Sequence, residues 1–446
     1  MDESQRLASA FVPYHVPFAV ARAEGAYLYT PEGRPILDAA GGAIVANIGH
    51  ARAEVAEVAK EALSRLSYVV PTWATPEKAA LVQRLRTNWL PPGVTQCSFV
   101  SGGSESVDAA VRLARQYQLL RGETGRWKVV GSDLSYHGVT TSGLAVGHHA
   151  NRRAGFDPLL LQFPKMPAPY CLDCQLGRDD ARCREQAADR LEEVFEREGE
   201  ETIAAVIAEP VTGSAGAAVV PPPGHWKRVA EIARRHGALF IADEVMTGFG
   251  RLGSAMGIQQ FGVVPDIMVG GKGLAGGYAA MGGIFATEAV VAPLVEARQE
   301  LMFYTFAGLP VNCAIADKVL AIMEDERLVE RVRTLAPVLR KKLARIEEHP
   351  NVAEVRGMGF MLGVEFVKDK ETLERFPKES GFGGKVVAAG IQEGVFFYPA
   401  GSGPVQDAIM LGPPFTITET DMDLMVDALE KAIESAATRV AVASGA

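Results

Sequence analysis

Cysteine is scarce in this chain, 5 in 446 residues, an odd and small number that excludes a disulfide framework. Cations are outnumbered, 45 Lys+Arg against 54 Asp+Glu for a net charge of -9. That balance removes the clustered positive field on which nucleic-acid and anionic-membrane partners depend, so neither is expected. No apolar stretch approaches the roughly 18 residues that a membrane-crossing helix requires. The opening Met1–Gln5 is acidic and leads into no apolar run. No secretory signal is therefore expected, and a cytoplasmic protein is. Internal repeats and low-complexity segments are missing as well. What is present is an ordinary globular composition, 48% hydrophobic and 22% charged, long enough for roughly two to three domains.

Three of the cysteines lie close together, Cys171 and Cys174 as a CxxC pair and then Cys183. They fall one soft ligand short of a structural zinc site, with no histidine nearby to complete it. A surface insertion of reduced thiols is the better reading, and no metal is expected.

Short apolar runs alternate with segments of helical period, the pattern of an α/β domain built on a mostly parallel sheet. Residues 203–208 and 238–242 read as buried strands. Between them Trp226, Val229, Ala230 and Ala233 recur at helical spacing, with Gly237 placed to end the helix. Residues 266–270 read as the next strand, and 128–130 as an earlier one leading into Tyr136-His137-Gly138. Val107, Ala110, Val111, Ala114 and Tyr117 predict a helix opening directly after Ser101-Gly102-Gly103-Ser104. From about residue 315 longer charged helices surround a few strands, one of them within 359–366. Thr418 and Asp421 form a capping box for a last helix with the stripe Met422, Met425, Val426, Leu429 and Ile433. The expected division is 1–60 as an N-terminal segment packing with a small domain, 61–325 as the large domain, and 326–446 as the small α+β domain.

The glycine-rich loop at residues 101–104 puts backbone N–H groups and a helix dipole where they can hold a phosphate, although a capped helix after a tight turn reads the same. No Gly-Lys-Ser/Thr follows it, and Gly273 stands where Gly271-Lys272 would need a hydroxyl, so a Walker nucleotide site fails. No GxGxxG opens a helix after a strand, so a nicotinamide site fails too. Asp243 and Glu244 end one apolar strand and Lys272 ends another, at the edge where open α/β sheets place ligand contacts. Each alone is equally a turn or surface residue. Together with a phosphate loop they are what a pyridoxal 5'-phosphate (PLP) site needs: an amine for the aldehyde, and a carboxylate that keeps the pyridinium protonated.

At this point the chain resembles the class III (ω-amino acid and amine) aminotransferases of PLP fold type I, over nearly its whole length. The resemblance runs from residues 25–38 and Gly49-His50 through 101–105, 136–138, 208–211, 242–245 and 248–251. It continues through 270–273, 305–310, 356–359 and 412–415. It implies a large domain with a mostly parallel sheet flanked by helices, plus a smaller α+β domain. It also implies that Lys272 is the Schiff-base lysine and proton shuttle, Asp243 the partner of the pyridine nitrogen, and Val245 the wall under the ring. Tyr136 resembles the stacking aromatic, Gly103 and Ser104 the phosphate cradle, His137 a further cofactor contact, and Glu209 a carboxylate on the substrate side. Thr305 matches a threonine that reaches the phosphate of a neighbouring subunit, which implies a homodimer and leaves a tetramer open. His137 and Arg251 read equally well as residues that hold turns.

Two departures bear on substrate. Met246 stands where many relatives carry a glutamine, which favours amine-type members. Counting back from Pro413, Gln406 stands where several relatives carry a mobile arginine for the keto acid carboxylate, and a neutral amide cannot give that charge-assisted pairing. Ile44, Trp73 and Tyr398 are candidates for the substrate pocket, each equally readable as core. The activity implied is transfer of an amino group from an amine or ω-amino acid to a keto acid such as pyruvate or 2-oxoglutarate. The alternatives that share the cofactor are a decarboxylase, an aminomutase and a racemase.

Overall fold

The computed structural model describes residues 19–170, 172, 181–299 and 303–443; Cys171, Cys174 and the side chain of Cys183 lie outside the described residues. Its centre is a 7-stranded sheet in the order Val94–Val100, Gly282–Thr287, Ile267–Gly270, Leu239–Asp243, Ile203–Ala208, Lys128–Ser132 and Lys165–Met166. All of these run parallel except Gly282–Thr287, which is antiparallel to both its neighbours. Strands buried on both faces have no polar side to alternate with, and Ile203–Ala208 is buried at every position. The helix between it and the next strand runs His225–Arg235, with Trp226, Val229, Ala230 and Ala233 all buried. Each such Val or larger side chain contributes roughly 1.5–3 kcal/mol by leaving water. Gly237 follows at φ 72°, a left-handed position that glycine adopts without strain.

Two smaller sheets complete the molecule. One joins Val352–Met358, Met361–Phe366, Val405–Leu411 and Tyr398–Ser402 in an antiparallel array. The other joins Arg22–Glu24, Tyr27–Tyr29 and Pro35–Asp38 to Val395–Phe396, so the chain's first described strands pair with one near its end. The last helix, Glu419–Ala443, starts as the capping box requires. Thr418 N donates to Asp421 Oδ2 at 2.9 Å and Asp421 N to Thr418 Oγ1 at 3.2 Å. Its predicted stripe is buried throughout. Among the described residues no helix is long and apolar enough to cross a membrane.

Candidate active site

Parallel neighbours deliver their next residues to one edge. Ala208 pairs with Ala242 and Asp243 with Val269, so Glu209, Asp243 and the Gly270-Gly271-Lys272 turn lie side by side at the carboxyl ends of three adjacent strands. The loop after Lys128–Ser132 adds Tyr136 and His137 on one flank. On the other, the helix Gly103–Leu120 begins where Val94–Val100 ends.

That helix makes its first backbone bond from Ser106 N to Gly102 O, 3.0 Å, so the amides of Gly103, Ser104 and Glu105 precede the ladder and point out of its positive end. Ser106 Oγ lies 3.0 Å from Gly270 O, which fixes the helix start against the lysine's strand. The approach is close. A Cβ on Gly103 would stand 2.8 Å from Val245 Cγ1, and one on Gly271 only 3.4 Å from Gly103 Cα. Ser104 Oγ accepts from Val139 N at 3.1 Å, leaving its own proton to donate.

Asp243 is 4% exposed, with Oδ1 accepting from Val245 N at 3.0 Å and Oδ2 from His137 Nδ1 at 2.7 Å. His137 therefore does more than hold a turn: it orients the carboxylate, and its buried Nε2 has no partner among the described residues. Arg251 does staple turns. It is 1% exposed and donates to Phe360 O, Pro413 O and Asn47 Oδ1 at 3.2, 2.7 and 2.6 Å.

Lys272 holds φ 42°, a left-handed backbone that only a tightly determined turn imposes on a side chain with a Cβ. Its Nζ donates to Ala43 O, so the loop after Pro35–Asp38 closes over it. Burial pushes the amine down to about 8, with Arg152 and Arg251 acting in the same direction and Asp243 and Glu209 opposing. Glu209 accepts from Tyr136 N at 3.1 Å and Gly213 N at 2.8 Å, and burial pushes its carboxyl up to about 7.

Of the pocket candidates, Ile44 and Tyr398 join Tyr136 and Met246 in one apolar cluster. Ile44 is buried at φ 58°, a strained conformation for a β-branched residue. Trp73 is 62% exposed and outside that cluster, and Thr305 is exposed in a turn. Gln406 is already engaged: its Nε2 donates to Phe376 O at 2.6 Å and lies 3.2 Å from Asp407 Oδ2. The residues that sequence reasoning missed are Ala43, whose carbonyl carries no type signal, and Arg152, one of two adjacent arginines in a polar segment.

The arrangement has what an amine-transfer site requires: anion-holding amides, an oriented carboxylate and a buried amine. Known proteins agree. The family Aminotransferase class-III matches residues 10–433. An adenosylmethionine-8-amino-7-oxononanoate aminotransferase of Geobacter sulfurreducens is 33% identical over 94% of this chain and 92% of its own. A putrescine–pyruvate aminotransferase of Pseudomonas aeruginosa is 31% identical over 94% and 91%. The crystal structure of an (S)-enantioselective omega-transaminase from Thermomicrobium roseum superposes with a TM-score of 0.91 at 36% identity, covering 97% of this chain and 98% of that one. The chain belongs to the class III aminotransferases, on the large mixed α/β sheet of PLP fold type I.

Proposed function

We propose that the chain is a PLP-dependent transaminase that moves an amino group from an amine or ω-amino acid donor to a keto acid such as pyruvate or 2-oxoglutarate. The observation that carries this reading is the buried, easily deprotonated amine of Lys272 one strand away from the oriented carboxylate of Asp243. The amides of Gly103 and Ser104 and the Ser104 hydroxyl would hold the phosphate at the helix's positive end. Asp243 would face the ring nitrogen, its angle set by His137 and the Val245 amide, with Val245 and Tyr136 on the two ring faces. Bound there, PLP supplies an aldehyde that takes the amino group and a protonated ring that draws off the electron pair freed when Cα loses its proton.

The protein's part is to place and move protons. Held at about 8, the Lys272 amine is readily neutral near physiological pH, so it would take the donor's Cα proton and, as an ammonium, would return it to the carbon that PLP's aldehyde supplies. The fixed charge of Asp243 stabilises what develops in the transition state without reorganising. Glu209 holds the Tyr136 backbone, and with it the aromatic side chain that would stack on PLP. The cluster of Ile44, Met246 and Tyr398 suits an apolar donor side chain.

The same reading makes residues 61–325 the large domain and 326–446 the small one, with 1–60 packed on the latter; the pairing of Pro35–Asp38 with Val395–Phe396 supports it. It also makes Thr305 the residue that reaches a partner's phosphate site in a homodimer. Phe303 and Phe306, 58% and 60% exposed beside it, support a face that a second copy covers. The test is optical and chemical. The purified protein is expected to be yellow, to bleach on adding an amine donor without acceptor, and to yield a borohydride-fixed pyridoxyl peptide containing Lys272. A colourless protein that PLP does not restore overturns the reading, and bleaching with release of carbon dioxide turns it toward a decarboxylase.

A further inference from the structure

A keto acid brings a carboxylate to a site whose expected arginine is replaced by Gln406, an amide engaged with Phe376 O. Some other cation has to meet that charge. Arg251 and Arg152 are the arginines whose charge acts on the Lys272 amine, and Arg153 adjoins Arg152; of these three, two are spent. Arg251 is buried among backbone carbonyls, and Arg153 donates to Gly147 O at 3.0 Å and Asp157 Oδ1 at 2.9 Å. Arg152 differs. Among the described residues no carboxylate pairs with it, and its guanidinium lies over the Tyr136 ring with Cζ 4.7 Å from the centroid. The side chain is exposed, so it keeps the freedom to turn toward or away from the site.

The segment that carries it, which ends in the short helix Ala150–Arg153, is built rather than loose. His149 is 7% exposed and packs edge-on to Tyr136 at 5.8 Å between ring centroids, with its Nδ1 buried and unpartnered among the described residues. Ala150 N donates to Ser402 Oγ at 2.7 Å, tying the segment to the small antiparallel sheet that also carries Tyr398. Arg152 is near enough for its charge to act on the Lys272 amine.

We propose that Arg152 is the residue that binds the carboxylate of the keto acid acceptor, held over Tyr136 and supplied by the short helix Ala150–Arg153 instead of by the strand that carries Gln406. This rests on the transaminase reading and deepens it. The planar guanidinium stores its charge on an aromatic face and offers a carboxylate two parallel N–H donors. An uncharged amine donor occupies the same space without calling on it, so one pocket accepts both partners.

Pyruvate and acetaldehyde make the test, because as acceptors they differ by the carboxylate alone. In the holoenzyme, Arg152→Gln is expected to raise KM for pyruvate about 10- to 100-fold, as loss of a charge-assisted pair does. KM for acetaldehyde and for the amine donor should stay within about twofold, and Arg152→Lys should recover part of the pyruvate loss. Oxamate, an unreactive pyruvate isostere, gives a readout without turnover: its calorimetric Kd should weaken by the same factor. Equal losses with both acceptors, or unchanged pyruvate and oxamate affinities, would overturn the proposal. A wild-type enzyme that turns over neither of these acceptors nor 2-oxoglutarate would refute the transaminase reading, and oxamate binding would still decide the role of Arg152.

Discussion

The two halves of the site are built in opposite ways. The edge that carries Lys272, Asp243 and Glu209 consists of residues at, or one to two positions past, the ends of three hydrogen-bonded strands, so backbone pairing sets their spacing. The facing side, with Ala43, Ile44, Arg152 and Tyr398, is assembled from three segments far apart in sequence, held by packing and by single bonds such as Ala150 N to Ser402 Oγ. Groups that move protons need sub-ångström constancy, which a sheet edge provides. Groups that choose a substrate need variety, which loops provide at little cost to the core.

That contrast predicts how steeply each half responds to change. Lys272→Ala should reduce turnover by at least about a thousandfold, since no neighbour supplies a second base; a milder loss would show that Glu209 substitutes for it. Asp243→Asn should cost about 10²- to 10³-fold in kcat, because the group acts on charge that develops in the transition state, while the protein stays folded. Near-normal rates would remove Asp243 from the chemistry. On the facing side Tyr398→Ala should change KM among donors of different size by about tenfold and move kcat little. An equal fall in kcat for every donor would erase the distinction between the halves.

The pH dependence sharpens the comparison with smaller effects. The Lys272 amine, held at about 8 against an ordinary 10.5, is disfavoured as a cation in the fold. Its cost is in full force below pH 8 and is relieved as pH rises from about 8 towards 10.5, because there the unfolded chain binds the proton that the folded chain has released. Apoprotein carrying Lys272→Met should therefore be more stable than wild type at pH 7, on the order of 2 kcal/mol. The advantage should shrink by pH 10; denaturant midpoints at both pH values measure it. The charge effects give the smallest test. Amine labelling of apoprotein should find a Lys272 midpoint near 8, lowered by Glu209→Gln and raised by Arg152→Gln, since the first removes a nearby negative charge and the second a positive one.

Much of the strand edge was legible because its signals are local. An apolar run ending in Asp243, another ending in a glycine-flanked Lys272 and a Gly-rich helix start are each readable within a few residues, and their alternation with helices implied the parallel sheet. His137 was not resolved that way. Turn and carboxylate partner read alike until Asp243 is seen 2.7 Å away. Counting residues back from Pro413 put the amide of Gln406 where a cation is expected, yet offered no replacement, because position along one strand says nothing about a segment far earlier in the chain.

The sequence by itself determined the class of fold and the family, and it put forward one amine and one carboxylate as candidates. Period and strand ends follow from short-range sterics and hydrophobicity that any local window contains. Only the tertiary structure decided that Ala43 closes over Lys272, that His137 orients Asp243, and that Arg152 lies on Tyr136. Those contacts join residues more than a hundred positions apart, or place a side chain on a ring that no periodicity points to. They exist because the chain folds back to bury its apolar faces, and that closure brings polar groups together that the order of residues keeps apart.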